Sequence, residues 1–127
     1  MISRRGVLCL DQEVGASDAS TLEPLIEESF VANLHQRYKR DQIYTYIGTM
    51  VISINPYKTL AFYSPEVIAA YQHHNMLELP PHIYALTEYA FQSMNENNQD
   101  QCIIIMGESG SGKTGEFLEN LKFTIIT

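Results

Sequence analysis

The sequence predicts an α/β fold in which helices flank the strands of an incomplete mixed β-sheet. Three observations carry that prediction. Segments with apolar residues at helical spacing alternate along the chain with short runs rich in β-branched and aromatic residues. One run, Cys102-Ile103-Ile104-Ile105-Met106, is apolar throughout and bounded by polar residues, the pattern of a strand covered on both faces. A glycine-rich loop follows that run at once. The 127 residues fit one small domain or one slice of a larger one, and 45% hydrophobic with 18% charged residues excludes wholesale disorder.

Taken in order, residues 1–20 lack periodicity and read as a flexible lead-in ending in the small, polar stretch Gly15 to Ser20. From Glu23 to Arg40 the residues Ile26, Phe30, Leu34 and Tyr38 recur at every fourth position, which predicts a helix with one apolar stripe. Glu27, Glu28, Gln36 and Arg37 fall mostly off that stripe, and acidic residues lead while basic residues close, as the helix dipole favours. Ile43 to Ile47 and Met50 to Ile54 read as paired strands joined through Gly48-Thr49, and Asn55-Pro56 stops the second. Ser64 caps a helix that opens at Pro65 and runs to about His74. After Pro80-Pro81, a further helix spans His82 to Asn95 with Ile83, Leu86, Tyr89, Ala90 and Met94 at helical spacing.

Charge narrows the function. Fifteen acidic against eight basic residues give a net charge of -7, and a pI near 4.9, which argues against a nucleic-acid or anionic-membrane binder. The densest basic stretch, Arg37, Lys39 and Arg40, is diluted at once by Asp41. No apolar run approaches the ~20 residues of a transmembrane helix, and Gly6 to Leu10 is too short for a signal peptide's apolar region. Cys9 and Cys102 read more simply as two thiols in a reducing compartment than as a long-range disulfide. The expectation is a soluble, cytoplasmic chain.

Gly107-Glu108-Ser109-Gly110-Ser111-Gly112-Lys113-Thr114 satisfies G-x-x-x-x-G-K-[ST] at every defined position. Glycines let such a loop curl until successive N–H groups face phosphate oxygens, where a Cβ would obstruct them. Lys113 is then positioned to reach the β- and γ-phosphates, and the Thr114 hydroxyl to ligate Mg²⁺. A helix beginning there adds its positive end. The motif predicts ATP and Mg²⁺ as ligands.

Four segments together resemble the myosin motor head. The loop differs from that family's G-E-S-G-A-G-K-T only by Ser111 for Ala. Ile43-Tyr44-Thr45-Tyr46-Ile47-Gly48 is similar to its I-Y-T-Y-I-G segment, and Pro80-Pro81-His82-Ile83-Tyr84-Ala85-Leu86 to its P-P-H-I-[FY]-A-[LI] segment. Asn55-Pro56-Tyr57-Lys58 followed by Tyr63 resembles the family's adenine-side loop. The resemblance covers about residues 14 to 114, in the same order and spacing. It implies a partial P-loop NTPase motor-head fold over residues 21–114, with Asn55, Pro56, Tyr57, Lys58 and Tyr63 on the adenine side and Gly107 to Thr114 on the phosphates. Chemically, Tyr63 and Pro56 offer flat apolar surface to a purine, and Asn55 offers hydrogen bonds. The short lead-in resembles unconventional, class I heads more than muscle-type ones. For the complete head, the resemblance implies an actin-activated Mg²⁺-ATPase, actin filaments as partner and the actin cytoskeleton as location.

The chain also departs from the family. The switch I and switch II patterns that position water and sense the γ-phosphate do not occur in it, which predicts that it does not hydrolyse ATP alone. After Thr114 the family continues E-A-[ST]-K, whereas here Gly115-Glu116-Phe117 begins a divergent tail over residues 115–127. Two readings of that tail stand. Codons GGT-GAG followed by T would mark read-through of an intron donor, and any other spelling excludes it; alternatively, Phe117, Leu118, Leu121 and Ile125 have the spacing of a divergent helix, which Gly115 disfavours. Two other function classes stay open as well: a truncated, non-catalytic fragment, and a small stand-alone P-loop NTPase.

The remaining candidates read as structural. His35, His73, His74 and His82 lack neighbours at zinc-like spacing. Glu27-Glu28 reads as a solvated helix face, and Glu108 is a poor general base beside a polyphosphate that repels it. Cys102 reads as an inert thiol opening a buried strand, and the eight tyrosines as core.

Overall fold

The computed structural model describes residues 15–126; Cys9 and the rest of residues 1–14 lie outside the described residues. Four helices surround one hairpin: α1 (Glu27–Tyr38), β1 (Tyr44–Ile47), β2 (Met50–Ser53), α2 (Pro65–Tyr71), α3 (Ile83–Asn97) and α4 (Lys113–Ile126), with short 3-10 turns at Ala19–Thr21 and Met76–Glu78. The strands pair antiparallel with Tyr44 opposite Ser53 and Ile47 opposite Met50. Gly48 turns the hairpin with φ +59 at its first central position, as a type II′ turn requires. A single parallel bridge, Asp18 to Tyr46, extends the hairpin on the β1 side.

The described part of the lead-in is tied to the body. Ala19 is buried, Tyr46 N–H donates to the Ser17 carbonyl at 2.9 Å, and Asn33 brackets Ala16 through both its backbone groups. α1 starts later than its periodicity predicts, at Glu27, where the Ser29 hydroxyl accepts from the Ile26 N–H, half of a capping box. Its inward face also differs. Ile26 is half exposed, while Arg37, which the sequence sets off the stripe, is buried, as is Asn33. The reason is polar: Arg37 donates to Thr45 Oγ1 at 2.9 Å and to the Tyr44 carbonyl at 2.7 Å, so the helix is rotated to bring its guanidinium onto β1.

α2 begins as expected, Pro65 following a Ser64 hydroxyl that accepts from Val67 N–H. It stops at Tyr71, three residues early, because His73 takes φ +63 and its N–H donates to Glu88 instead of continuing the helix. α3 runs to a left-handed Asn98, a common helix terminator.

The core gathers Ile43, Tyr44, Tyr46, Val67, Ile68, Tyr71, Ile83, Tyr84 and Phe123 around a buried His82. His82 stacks on Tyr84 with centroids 4.2 Å apart, so four of the eight tyrosines serve the core as expected. Tyr57 and Tyr89 instead reach solvent.

The largest correction concerns residues 102–106. They form no strand, and Ile104 and Met106 are 74% and 85% exposed. Cys102 is exposed too, rather than opening a buried strand. A strand exists only through its ladder partners. Among the described residues the sheet has two strands, and a cavity of about 370 Å³ separates β2 from Cys102–Met106.

Candidate functional site

The glycine-rich loop is built by its own residues. Ser111 N–H donates to the Glu108 carbonyl at 3.1 Å, closing a tight turn. Gly110 at φ +84 and Gly112 at φ +96 occupy conformations that L side chains rarely adopt. A Cβ on Gly107 would stand 2.5 Å from Ser111 Oγ. The curl therefore needs glycine at Gly110 and Gly112. Lys113 opens α4, and its amine donates to the Gly107 carbonyl across the loop. Glu116 N–H makes the first helical bond, to Gly112, which leaves the N–H groups of the first turn directed toward the loop. Thr114 stands exposed on that turn.

The second predicted loop meets the first. The Asn55 side chain accepts from Tyr57 N–H at 2.8 Å and donates to the Gly110 carbonyl at 3.1 Å. One amide thus fixes its own turn and clamps the glycine loop 55 residues away. Between the two loops lies a cavity of about 230 Å³, walled by Asn55, Pro56, Lys58 and Tyr63 on one side and Ser111 and Gly112 on the other. Tyr57, at φ +53, turns its ring to solvent and is outside that wall. Lys58 pairs with Asp41 at 2.7 Å in an exposed bridge of little energetic weight. Tyr63 is half-buried, its hydroxyl 2.7 Å from that of Tyr44, and burial pushes its phenol up to about 12.

Sequence reasoning missed the floor of this cavity. Glu116 and Glu119 line it. Glu116 accepts from Ser53 Oγ at 2.9 Å and from the Tyr44 hydroxyl at 2.8 Å, while Glu119 accepts from the Tyr84 hydroxyl at 2.5 Å. Tyr44 has one proton and gives it to the carboxylate, so Tyr63 donates to Tyr44, and a hydrogen-bond chain runs Tyr63 to Tyr44 to Glu116. Burial, with Glu119 nearby, raises the Glu116 carboxyl above the ordinary range despite these donors. The signal was present as Glu116, Glu119 and Phe123 at helical spacing, but the apolar Phe117 and Leu118 drew the helix face the other way; both are 56% exposed.

Glu27, Glu28 and Glu108 are exposed, and no cluster of three metal-ligating side chains occurs among the described residues. No helix among them is long and apolar enough to cross a membrane.

Comparison with known proteins places the chain. The family model for the myosin head (motor domain) matches residues 16–125. Human unconventional myosin-Ia is 56% identical over 105 residues, 83% of this chain and 10% of that protein. Rat unconventional myosin-Ib is 51% identical over 105 residues, 83% of this chain and 9% of the relative. Unconventional myosin IC of Drosophila melanogaster is 50% identical over 97 residues, 76% of this chain and 9% of the relative. The chain spans about a tenth of the length of these curated relatives.

Proposed function

The chain belongs to the myosin head family, and from that premise we propose that it binds Mg·ATP as the nucleotide-binding portion of an actin-based motor head. The observation that carries this reading is the Asn55 to Gly110 hydrogen bond. It joins the two loops that resemblance assigns to adenine and phosphates around one cavity. Within that cavity Asn55, Pro56 and Tyr63 take the base side, with Tyr57 and Lys58 on the same loop. The backbone of Gly107, Glu108, Ser109, Gly110, Ser111 and Gly112 takes the phosphates.

Lys113 is the electrostatic anchor. A phosphate oxygen bears a full charge and is a stronger acceptor than the Gly107 carbonyl that now holds the amine. Thr114 offers a hard oxygen of the kind Mg²⁺ prefers, from the first turn of α4. Bound Mg²⁺ supplies charge neutralisation between phosphate oxygens. Actin as partner, ATP turnover and a cytoskeletal location belong to the complete head and rest on the same premise.

Titration of the purified chain with a fluorescent Mg·ATP analogue tests the reading. Saturable binding that weakens roughly tenfold or more in Lys113→Ala is expected. Absence of binding, or binding indifferent to Lys113, would make the loop an inherited motif in a non-binding fragment. Turnover of ATP by the isolated chain would point instead to a stand-alone NTPase.

A further inference from the structure

The glycine-rich loop runs straight into α4, so the placement of that helix sets where Lys113 and Thr114 stand. From its N-terminal side the loop receives no ladder, because residues 102–106 form no strand. Two contacts from β2 and the residues just after it hold the loop instead. Before the lysine, Asn55 donates to the Gly110 carbonyl at 3.1 Å. Beyond it, Ser53, the last residue of β2, donates to the Glu116 carboxylate at 2.9 Å. Tyr44, opposite Ser53 in the hairpin, donates to the same carboxylate at 2.8 Å. The Glu116 N–H in turn donates to the Gly112 carbonyl at 3.1 Å. One residue thus grips the hairpin with its side chain and the loop with its backbone. A single hydrogen bond leaves a loop free to swing about one point, whereas a second on the far side fixes its orientation. Groups fixed before a ligand arrives cost less to order on binding.

We infer that Glu116 is a positioning residue for the phosphate site: with Asn55 it clamps residues 110–116 to the end of β2 and so holds Lys113 and Thr114 in place for the phosphates. The inference rests on the nucleotide-binding reading above and deepens it. The role is one of geometry rather than charge, since a neutral side chain with an oxygen in the same place would serve. The family pattern E-A-[ST]-K has alanine at this position, so the anchor is particular to this chain.

Two pairs of chains test the clamp, each by titration with Mg·ATP and by amide hydrogen exchange on the full chain. The first pair is Glu116→Ala against Glu116→Gln. Both lack the charge and both residues suit a helix, but only glutamine can still accept from Tyr44 and Ser53. The alanine variant is expected to bind Mg·ATP roughly five- to tenfold more weakly than the glutamine variant. Exchange over Gly110 to Glu116 should quicken in the alanine variant alone, with α3 unchanged. The second pair is Ser53→Ala against wild type, which keeps Glu116 itself in the cavity wall. Here one donor is lost, and a roughly two- to threefold weakening is expected. Equal affinities within either pair overturn the inference while leaving the binding site standing. If exchange in Glu116→Ala rises uniformly along the chain, that variant is generally loosened and the Ser53 pair decides alone. If wild type and all variants bind no Mg·ATP, the nucleotide-binding reading fails and takes this inference with it.

Discussion

His82 illustrates how one side chain can set both a fold and its pH range. Its Nε2 donates to the Phe62 carbonyl at 2.8 Å, and its Nδ1 accepts from Tyr84 N–H at 3.0 Å as the N-cap of α3. Those two partners fit only the neutral ring protonated at Nε2. Burial lowers its pKa from 6.5 to about 3, against the partly compensating bond to Phe62. Between those values the unfolded chain takes up a proton that the folded one refuses. Stability therefore falls as pH drops below 6.5, by up to about 1.4 kcal/mol per pH unit from this group. Glu116 acts in the opposite sense. Its raised carboxyl keeps a proton in the folded chain after the unfolded chain has lost it, so stability also declines as pH rises from 4.5 through the folded value. Urea midpoints for wild type and His82→Asn between pH 7 and pH 4 measure the histidine part. The variant is expected to be less stable at pH 7 but flatter with pH, and an unchanged slope would exclude His82 as its source.

At the scale of elements, α4 marks what the sequence could and could not convey. The hairpin, the Ser64-Pro65 helix start and the glycine loop were legible, because turn chemistry and caps are local. α1's inward face was not, since Arg37 is drawn inward by acceptors on a strand that periodicity does not see. Nor was the strand at Cys102–Met106 a sound expectation, because an apolar run carries no information about its ladder partners. The site was half legible: both loops could be read, but the carboxylate floor depends on how α4 is turned. α4 forms despite Gly115, because Phe123 is fully buried against Tyr84, with centroids 5.1 Å apart, and two glutamates bond core hydroxyls. Tertiary contacts here outweigh the ~1 kcal/mol a helical glycine costs. Phe123→Ala should accordingly destabilise the chain by about 3–4 kcal/mol, and Phe117→Ala by less than about 1. Equal denaturation midpoints for the two variants would mean that the tail is not docked as described.

The whole molecule balances a well-formed aromatic core against surfaces that a small sheet cannot cover. His82, Tyr84, Tyr71 and Phe62 pack ring against ring in the core. The edge of β2, by contrast, faces Cys102–Met106 across a cavity of about 370 Å³ instead of a third strand. Met50, Ile104 and Met106 are all more than half exposed there. An open strand edge beside exposed apolar side chains is a template for pairing with another chain. The glycine-rich loop follows directly on this uncovered segment, so whatever steadies residues 102–106 also steadies Gly107 to Thr114. Sedimentation of the purified chain over a concentration series should reveal self-association, reduced in Ile104→Lys/Met106→Lys because charge at an exposed edge opposes pairing. A monodisperse wild-type chain with a sharp, cooperative thermal transition would mean that the hairpin and four helices suffice without further cover. That outcome would also free the nucleotide titrations from any dependence on protein concentration.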